Sequence, residues 1–410
     1  MEVFKKPIAS RPFPMPQPTT VLNQLLQLLP RDAFQTVVGQ HKADRYVKRL
    51  TTWNQLTILL YAQLTGKDSL REIETGLRVQ ESQWTRLGLK TAARSTLARA
   101  NATRPAAIFE TLFVCLRDQC QKLLPGTAAR HTSAYEVPDG IHALDSSSIE
   151  LCLTLFPWAR FRTAKGAMKL HTLFDVTCQV PESIVMTDGK TSDIRMAKEM
   201  DWMTLPRGSI ITMDRGYNDY PLFAALDAAG HIFVVRLKKD AHVFSLRRER
   251  SVLEPGVLKD EDIAFALPKA QESYPKDLRL VTFHDEEHDV TYRFLTNNWT
   301  LSAGTIAAIY KKRWDVELFF KWLKQHLQVK TFLGTSKNAV LSQVWVAMIC
   351  YLLISWMRFQ TKYRRSLLEL TRMLREVLLE RVSIINLLSL CKKTVQRAII
   401  RAGPRQLILV

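Results

Sequence analysis

Two aspartates stand at the ends of apolar runs in this 410-residue chain: Asp145 in HALDSSS and Asp214 in IITMDRGY. Each is followed at once by small or turn-forming residues. A lone carboxylate is costly to bury within such a strand, so each belongs at an edge where a proton or a cation can reach it. Strand ends are also where ligand sites open in α/β sheets. Taken singly, either Asp is more readily a turn residue than a ligand; as a pair they outline a cation site. A third group lies in IYKKRWDVELFFKWLKQHL. At about 100° per residue, Tyr310, Arg313, Glu317 and Lys324 fall within a ~60° arc of one helix surface. Val316, Leu318, Phe319, Trp322, Leu323 and Leu327 spread over the rest, enough apolar surface to pack the helix on most sides. An ordinary i, i+4 pair would account for Arg313 and Glu317 alone. With Tyr310 and Lys324 in line, the four read as a narrow polar seam that faces a site.

The elements around these residues change character along the chain. Residues 19–80 read as helices: VLNQLLQLLP ends at Pro30, and LTTWNQLTILLYAQLTG carries an apolar stripe that stops at Gly66. In TAARSTLARANATRP (91–105), Arg94, Arg99 and Arg104 alternate with small residues, a pattern equally suited to a DNA-reading helix and to an amphipathic surface helix. From residue 139, GIHALDSSSIELCL, MKLHTLFDVTCQ and PESIVMTDG read as three consecutive strands. A helix at RMAKEMDWM, a strand at GSIITMDRGY, a helix at FAALDAAG and a strand at HIFVVRLKK follow. Strands in succession and then alternating with helices predict a mixed α/β sheet. Residues 240–300 add strands, including a hairpin at LRLVTFHDEEHDVTYRFLTN; 303–327 and 337–400 are helical.

Charge follows the same division. The chain carries 58 Lys and Arg against 39 Asp and Glu, a net +19. Residues 1–135 hold 19 basic against 9 acidic (+10), residues 136–300 hold 20 against 25 (−5), and residues 301–410 hold 19 against 5 (+14). Two basic flanks suit a polyanion, while a mildly acidic middle suits divalent cations. The six cysteines contain no Cys-x-x-Cys pair, so the spacing gives neither a zinc module nor a disulfide framework. The start, MEVFKKPIASRPFPMPQP, lacks the apolar core of a signal peptide. The apolar stretch from Val344 to Met357 falls short of the ~20 residues a membrane helix needs. The expectation is a buried helix, no membrane and a reducing cytoplasm.

Asp145, the Asp-Arg-Gly-Tyr at 214–217 and the Tyr-x-x-Arg-x-x-x-Glu-x-x-x-x-x-x-Lys at 310–324 together resemble the DDE transposases of bacterial insertion sequences, in particular the branch with that Tyr-Arg-Glu-Lys signature. The likeness is strongest over about 139–335. It implies an α/β ribonuclease-H-like core, a mixed sheet flanked by helices, with Asp145 on the first strand, Asp214 on the fourth and Glu317 on a later helix. It also implies a β-rich insertion at about 237–300. The domains expected are a helical DNA-binding part at 1–135, the catalytic part at 136–335 and a helical C-terminal region at 336–410.

By the same resemblance Asp145, Asp214 and Glu317 are catalytic and hold two Mg²⁺ or Mn²⁺ ions. Two such ions about 3.5–4 Å apart, on hard oxygen ligands, can serve nucleophile, leaving oxygen and phosphate charge together. Tyr310, Arg313 and Lys324 become contacts to phosphate or end DNA, joined by Arg215 and Tyr217, which lie beside Asp214 and can also orient it, with Gly216 easing the exit from the strand. Trp314 becomes a stacking residue for a base flipped out at a hairpin, with Trp299 a weaker second. The implied partner is double-stranded DNA, both inverted-repeat ends and target, held by a homodimer in the bacterial cytoplasm at the nucleoid. Two other readings stay open: a transposase-derived DNA-binding regulator without catalysis, and a ribonuclease-H-like nuclease that cuts without joining.

Other charged groups read as ordinary structure or as secondary DNA contacts. HDEEH at 284–288 lacks the Glu and the helix of a zinc-protease motif and reads as a solvated hairpin tip. Lys169 and His171 alternate on a strand near the site. Arg236, Lys238, Lys239, Arg247, Arg248 and Arg250 form a basic run at the start of the insertion, and Lys362, Arg364 and Arg365 with Lys392, Lys393, Arg397, Arg401 and Arg405 decorate the C-terminal helices. DNA or a dimer surface would suit either set.

Overall fold

The computed structural model describes residues 19–123, 140–162, 165–249, 254–326 and 332–388. The proline-rich leader, Arg250, Leu327 and the basic residues from Lys392 to Arg405 lie outside them, and the side chains of Arg247 and Arg248 are likewise not described.

Seven helices precede the first strand: α1 (Val21–Leu26), α2 (Arg31–Gln40), α3 (Thr52–Thr65), α4 (Leu70–Val79), α5 (Glu81–Arg86), α6 (Arg94–Thr103) and α7 (Ala107–Leu123). Their ends follow from local chemistry. Thr51 caps α3 by accepting the Asn54 N–H, and Gly66 closes that helix at φ 68°, a left-handed turn that glycine takes without cost. Ser69 caps α4 in the same way through the Glu72 N–H.

The sheet begins with β1 (Ile141–Leu151), a short β2 (Arg160–Arg162), β3 (Lys165–Asp175) and β4 (Val180–Asp188). After α8 (Asp193–Glu199) come β5 (Ile210–Met213), α9 (Tyr220–Ala228) and β6 (Ile232–Arg236). Next are β7 (Val243–Glu249), β8 (Val257–Phe265), α10 (Pro268–Ser273), β9 (Leu278–Asp285) and β10 (Val290–Thr296). The chain then runs through α11 (Ala303–Lys312), α12 (Trp314–His326), α13 (Lys337–Gln360) and α14 (Leu367–Val377).

Ten strands form one mixed sheet in the order β2-β3-β1-β5-β6-β10-β9-β8-β7, with β4 also on β3. β4, β3 and β1 are antiparallel neighbours, and β5 and β6 run parallel to β1. That order and direction, with helices on both faces, is the ribonuclease-H-like arrangement. The β-rich insertion extends the sheet rather than folding apart from it: β10 pairs antiparallel with β6, and β9, β8 and β7 follow outward. The hairpin expected at 278–297 is β9–β10, with HDEEH at its tip.

Alternate residues of β1 enter two cores, as the two-residue period of a strand requires. Ile141, Ala143, Ile149 and Leu151 face a large cluster shared with the helices, whereas Leu144 joins Ile211, Met213, Phe233 and Leu226 on the opposite face. The helical ends of the chain are not separate bodies. α13 packs on α3, α6 and α7, and α14 packs on α3. Backbone amides of Val21 and Leu22 donate to the carbonyls of Glu380 and Leu378. The apolar stretch 344–357 lies within α13, a helix long and apolar enough to cross a membrane, which is instead buried inside this shared core.

Arg104 departs from the surface role open to it at 91–105. It is buried, donating to Gln55 Oε1 at 3.0 Å and to the Leu50 carbonyl, so it is a strut of the helical core rather than a reader of DNA. The continuous helix expected over 303–327 is two helices, with Arg313 at the junction in helical backbone geometry (φ −54°, ψ −30°).

Candidate active site

The pairing of β1 with β5 determines where the two aspartates meet. Ala143 lies opposite Thr212 and Leu144 opposite Met213 in a parallel register. One step further brings Asp145 level with Asp214 on strands about 4.8 Å apart. Ala143 and Ile210 both face the large helical cluster, so alternation turns Asp145 and Asp214 to that same face. α12 crosses β1 there, anchored by Val316, Phe319 and Leu323, and carries Glu317.

The local chain supports each acid. Asp145 Oδ1 accepts the Ser146 N–H at 2.8 Å. Asp214 caps a 3₁₀ turn over Arg215–Tyr217, its Oδ1 accepting the Gly216 N–H at 2.7 Å. A β-carbon at Gly216 would stand 2.9 Å from that oxygen, so any other residue here would push the Asp214 carboxylate out of this position.

Arg313 ties two of the acids together. Its Nη1 donates to Asp145 Oδ2 at 3.3 Å and its Nη2 to Glu317 Oε1 at 2.7 Å. The guanidinium carbon lies 5.6 Å from the Tyr310 ring centroid and 5.8 Å from that of Trp314. Tyr310 is buried, tilted against Phe294 at 4.6 Å between ring centroids, so it forms the floor under Arg313 rather than a surface contact. Trp314 is 52% exposed and Lys324 and Arg215 are exposed, all three open to a ligand. Trp299 is also partly exposed, whereas Tyr217 is buried in the core of the opposite face and so does not make the expected contact to DNA.

Electrostatics mark the site as undercompensated. Burial pushes the Asp145 carboxyl up to about 6, and the nearby Asp214 and Glu317 carboxylates add to that; the Ser146 N–H and Arg313 pull the other way. Burial also raises the Tyr310 phenol. For Arg313 burial opposes the charge, but Tyr310, Glu317 and Asp145 outweigh it and raise its pKa.

Three carboxylates, two of them bridged by one guanidinium, form a hard, oxygen-only donor set of the kind Mg²⁺ or Mn²⁺ takes. Their oxygens are not all within 4.8 Å of one another. The groups of described residues that do meet that limit are His142 with Asp175 and Glu182, and Asp285 with Glu287 and His288 at the hairpin tip.

Behind Asp145, on the other face of the sheet, Lys169 and His171 enter a polar knot around Asp193, a residue whose part nothing in the sequence pattern marks. Lys169 Nζ and His171 Nδ1 approach Asp193 Oδ1 at 3.0 and 3.3 Å, and His171 Nε2 meets Thr187 Oγ1 at 2.9 Å. Burial works against the Asp193 charge, yet His171, Ser146 and Lys169 hold its carboxyl well below the ordinary range. Lys169 and His171 are thus engaged inside the protein. Burial raises the neighbouring Tyr217 phenol well above its usual value, with Asp193, Asp145 and Asp214 adding to it. Asp193 opens α8, and from sequence alone a first-turn acid reads as a complement to the helix dipole.

A family profile described as Transposase DDE domain matches residues 138–353, more than half of the chain, and one described as a domain of unknown function matches residues 17–90. A Sinorhizobium fredii protein named as transposase y4zB is 33% identical over 262 residues, covering 63% of this chain and 69% of that one. A Geobacillus stearothermophilus protein named as a transposase for insertion sequence element IS5377 is 26% identical over 276 residues, covering 67% and 70%. Among solved structures, a piggyBac transposase synaptic complex with hairpin DNA aligns over 90% of this chain and 81% of that one, at 12% identity and a TM-score of 0.46. Matched across its sheet by the family profile, and at a third of aligned positions by a named transposase, the chain belongs to the DDE transposases, the insertion-sequence enzymes that act on DNA.

Proposed function

We infer that this protein binds the inverted-repeat ends of its own insertion sequence, cuts them and joins them to target DNA, as a member of the Tyr-Arg-Glu-Lys branch. The observation that carries this is the meeting of Asp145, Asp214 and Glu317 on one face of the sheet, with Arg313 bridging two of them. The three acids are the residues that would hold two Mg²⁺ or Mn²⁺ ions. When bound, the ions lower the pKa of a water or 3′-hydroxyl and neutralise charge on the phosphate.

The side chains divide the remaining work. Arg313, buried between Asp145 and Glu317 with both Nη atoms donated to them, keeps those carboxylates from repelling one another and fixes their positions. Tyr310 holds Arg313 from below. Lys324, seven residues beyond Glu317 and exposed, contacts DNA phosphate, as does Arg215 at the end of β5. Tyr217, buried beneath Asp214, positions that strand exit. Trp314 offers an exposed indole face on which a flipped base stacks, and Trp299 is a second such face.

In the reaction, water attacks the end phosphate and the 3′-oxygen leaves as a free hydroxyl. That hydroxyl attacks the opposite strand and closes a hairpin, which a second water opens. The 3′-ends then attack target phosphates. Bringing two ends together calls for a homodimer on DNA, acting at the nucleoid in the cytoplasm.

Purified protein incubated with duplexes bearing the element's ends and Mg²⁺ or Mn²⁺ tests this reading. Nicking and joining are expected in wild type and absent in Asp145→Asn, Asp214→Asn and Glu317→Gln. Nicking retained by either of the last two overturns the site. Specific binding without cleavage under either ion would make the protein a regulator, and cleavage that never joins precut ends would make it a nuclease.

A further inference from the structure

A cleft of about 600 Å³ opens among α1, the start of α2, the 41–51 segment and the turn after α5. Arg31, Lys48, Arg49 and Lys90 line it and are exposed, and its one carboxylate among the described residues is Asp44. That acid is satisfied from behind. Its Oδ1 accepts the Thr52 N–H and hydroxyl at 2.7 Å each and lies 3.6 Å from the buried Arg104 guanidinium. The four cations therefore face solvent with no acid in the lining left to neutralise them. Arg31 is held in place, its guanidinium carbon 4.9 Å from the Trp53 ring centroid. Stacking of this kind preorganises a planar fork.

The rim of the cleft has the same character. The run His41–Arg49, HKADRYVKR, adds Lys42 and Arg45, and its Tyr46 is 86% exposed. Lys42 and Tyr46 both adopt positive φ, 51° and 60°, where side chains other than glycine are strained. Arg45 lies 4.9 Å from the Tyr46 ring centroid and donates Nη2 to its hydroxyl at 3.0 Å. Strain retained at an exposed aromatic with cations on either side of it in the chain is a feature of contact surfaces rather than of cores. A single phosphate would need fewer cations in less space. Four exposed cations, Arg31, Lys48, Arg49 and Lys90, around one cleft suit a phosphodiester backbone with several phosphates.

We propose that this cleft and its Tyr46 rim are the surface through which the N-terminal part grips duplex DNA. The cations take the phosphates, and Gln27 and Gln35 in the same wall reach toward base edges. The assignment rests on the end-binding reading above. It gives a role to the segment matched only as a domain of unknown function, and it takes Arg104, which is buried, out of the DNA contact while Arg94 and Arg99 stay exposed.

The test uses the full chain and fluorescein-labelled duplexes from the element's borders, with scrambled duplexes beside them. Binding is read by anisotropy across a salt series for wild type, Lys48→Glu with Arg49→Glu, and a charge-matched control, Lys190→Glu with Lys269→Glu. Thermal denaturation verifies that each variant is folded, and the milder Lys48→Ala with Arg49→Ala covers a folding defect in the reversal. The cleft variants should bind at least tenfold more weakly, and the log–log salt slope should fall by roughly 2, about 0.9 for each lost phosphate contact. The control should stay within about twofold of wild type, as surface charges off the path do little. Equal losses in cleft and control proteins, or none in either, overturn the cleft while leaving end binding intact. A folded wild type that holds neither duplex overturns the end-binding reading and the cleft with it.

Discussion

Asp145 destabilises the protein that it equips for catalysis, and the size of that effect can be worked out. Its carboxyl titrates at about 6 in the folded chain against an ordinary 3.8. The folded state therefore holds the proton more tightly than the unfolded one. The contribution of this group to stability is greatest below about pH 4, is lost as pH rises from about 4 to 6, and stays lost above. A gap of about two units at ~1.4 kcal/mol each amounts to about 3 kcal/mol. Asp145→Asn removes the charge but also takes one of two acceptors from Arg313, which keeps Glu317. With EDTA at pH 8, Asp145→Asn should therefore be more stable than wild type by about 1–3 kcal/mol.

Urea midpoints of the two proteins from pH 4.5 to 8 measure this. The difference should be smallest, though not zero, at the acid end, widen up to about pH 6 and level off by pH 7. Adding Mg²⁺ should close it from the wild-type side, since an ion that binds only the folded state stabilises by RT ln(1 + [L]/Kd). A difference that does not vary with pH, or an Asp145→Asn protein less stable than wild type in EDTA at pH 8, would refute the reasoning.

Three further outcomes follow from other parts of the site. Gly216→Ala should leave the fold intact but displace Asp214, whose Oδ1 would stand 2.9 Å from the new methyl; end nicking should fall while circular dichroism and thermal midpoint stay near wild type. Trp314→Ala should change stability by less than about 0.5 kcal/mol, since the indole is half exposed. If the indole stacks a flipped base, the same change should slow hairpin formation on denaturing gels by roughly tenfold or more, and Trp314→Phe should recover part of it. Asp193→Asn leaves the half-buried Lys169 ammonium without its charge partner and should cost about 1–3 kcal/mol in urea denaturation, whereas Asp193→Asn paired with Lys169→Met should cost less.

The sheet and its acids were legible in the sequence because they obey local rules. IITMD is an apolar strand that must stop at its charge, and DRGY turns because Asp214 can cap the next amide and Gly216 leaves room for it. Tyr310, Arg313 and Glu317 were legible because helical spacing survives the junction at Arg313, whose backbone stays helical although the helix is counted as two. What could not be read is what depends on a partner far along the chain. Arg104 looks like any basic surface residue until Gln55 and the Leu50 carbonyl close around it. Asp193 looks like a helix-start acid until β3 brings Lys169 and His171 beneath it. The helical ends have compositions that suggest separate domains, yet α13 packs on α3, α6 and α7 and their apolar faces join in one core.

The insertion shows the same limit from the other side. Its strand periodicity is evident, but no local rule says that β10 will pair with β6. Without β10, one edge of β6 would present unpaired amides and carbonyls, an invitation to aggregation. Continuing the sheet through β10 removes that edge and puts Phe294 and Tyr292 against Tyr310. The insertion thereby helps form the floor on which Arg313 rests, so its geometry and that of the carboxylates are set together.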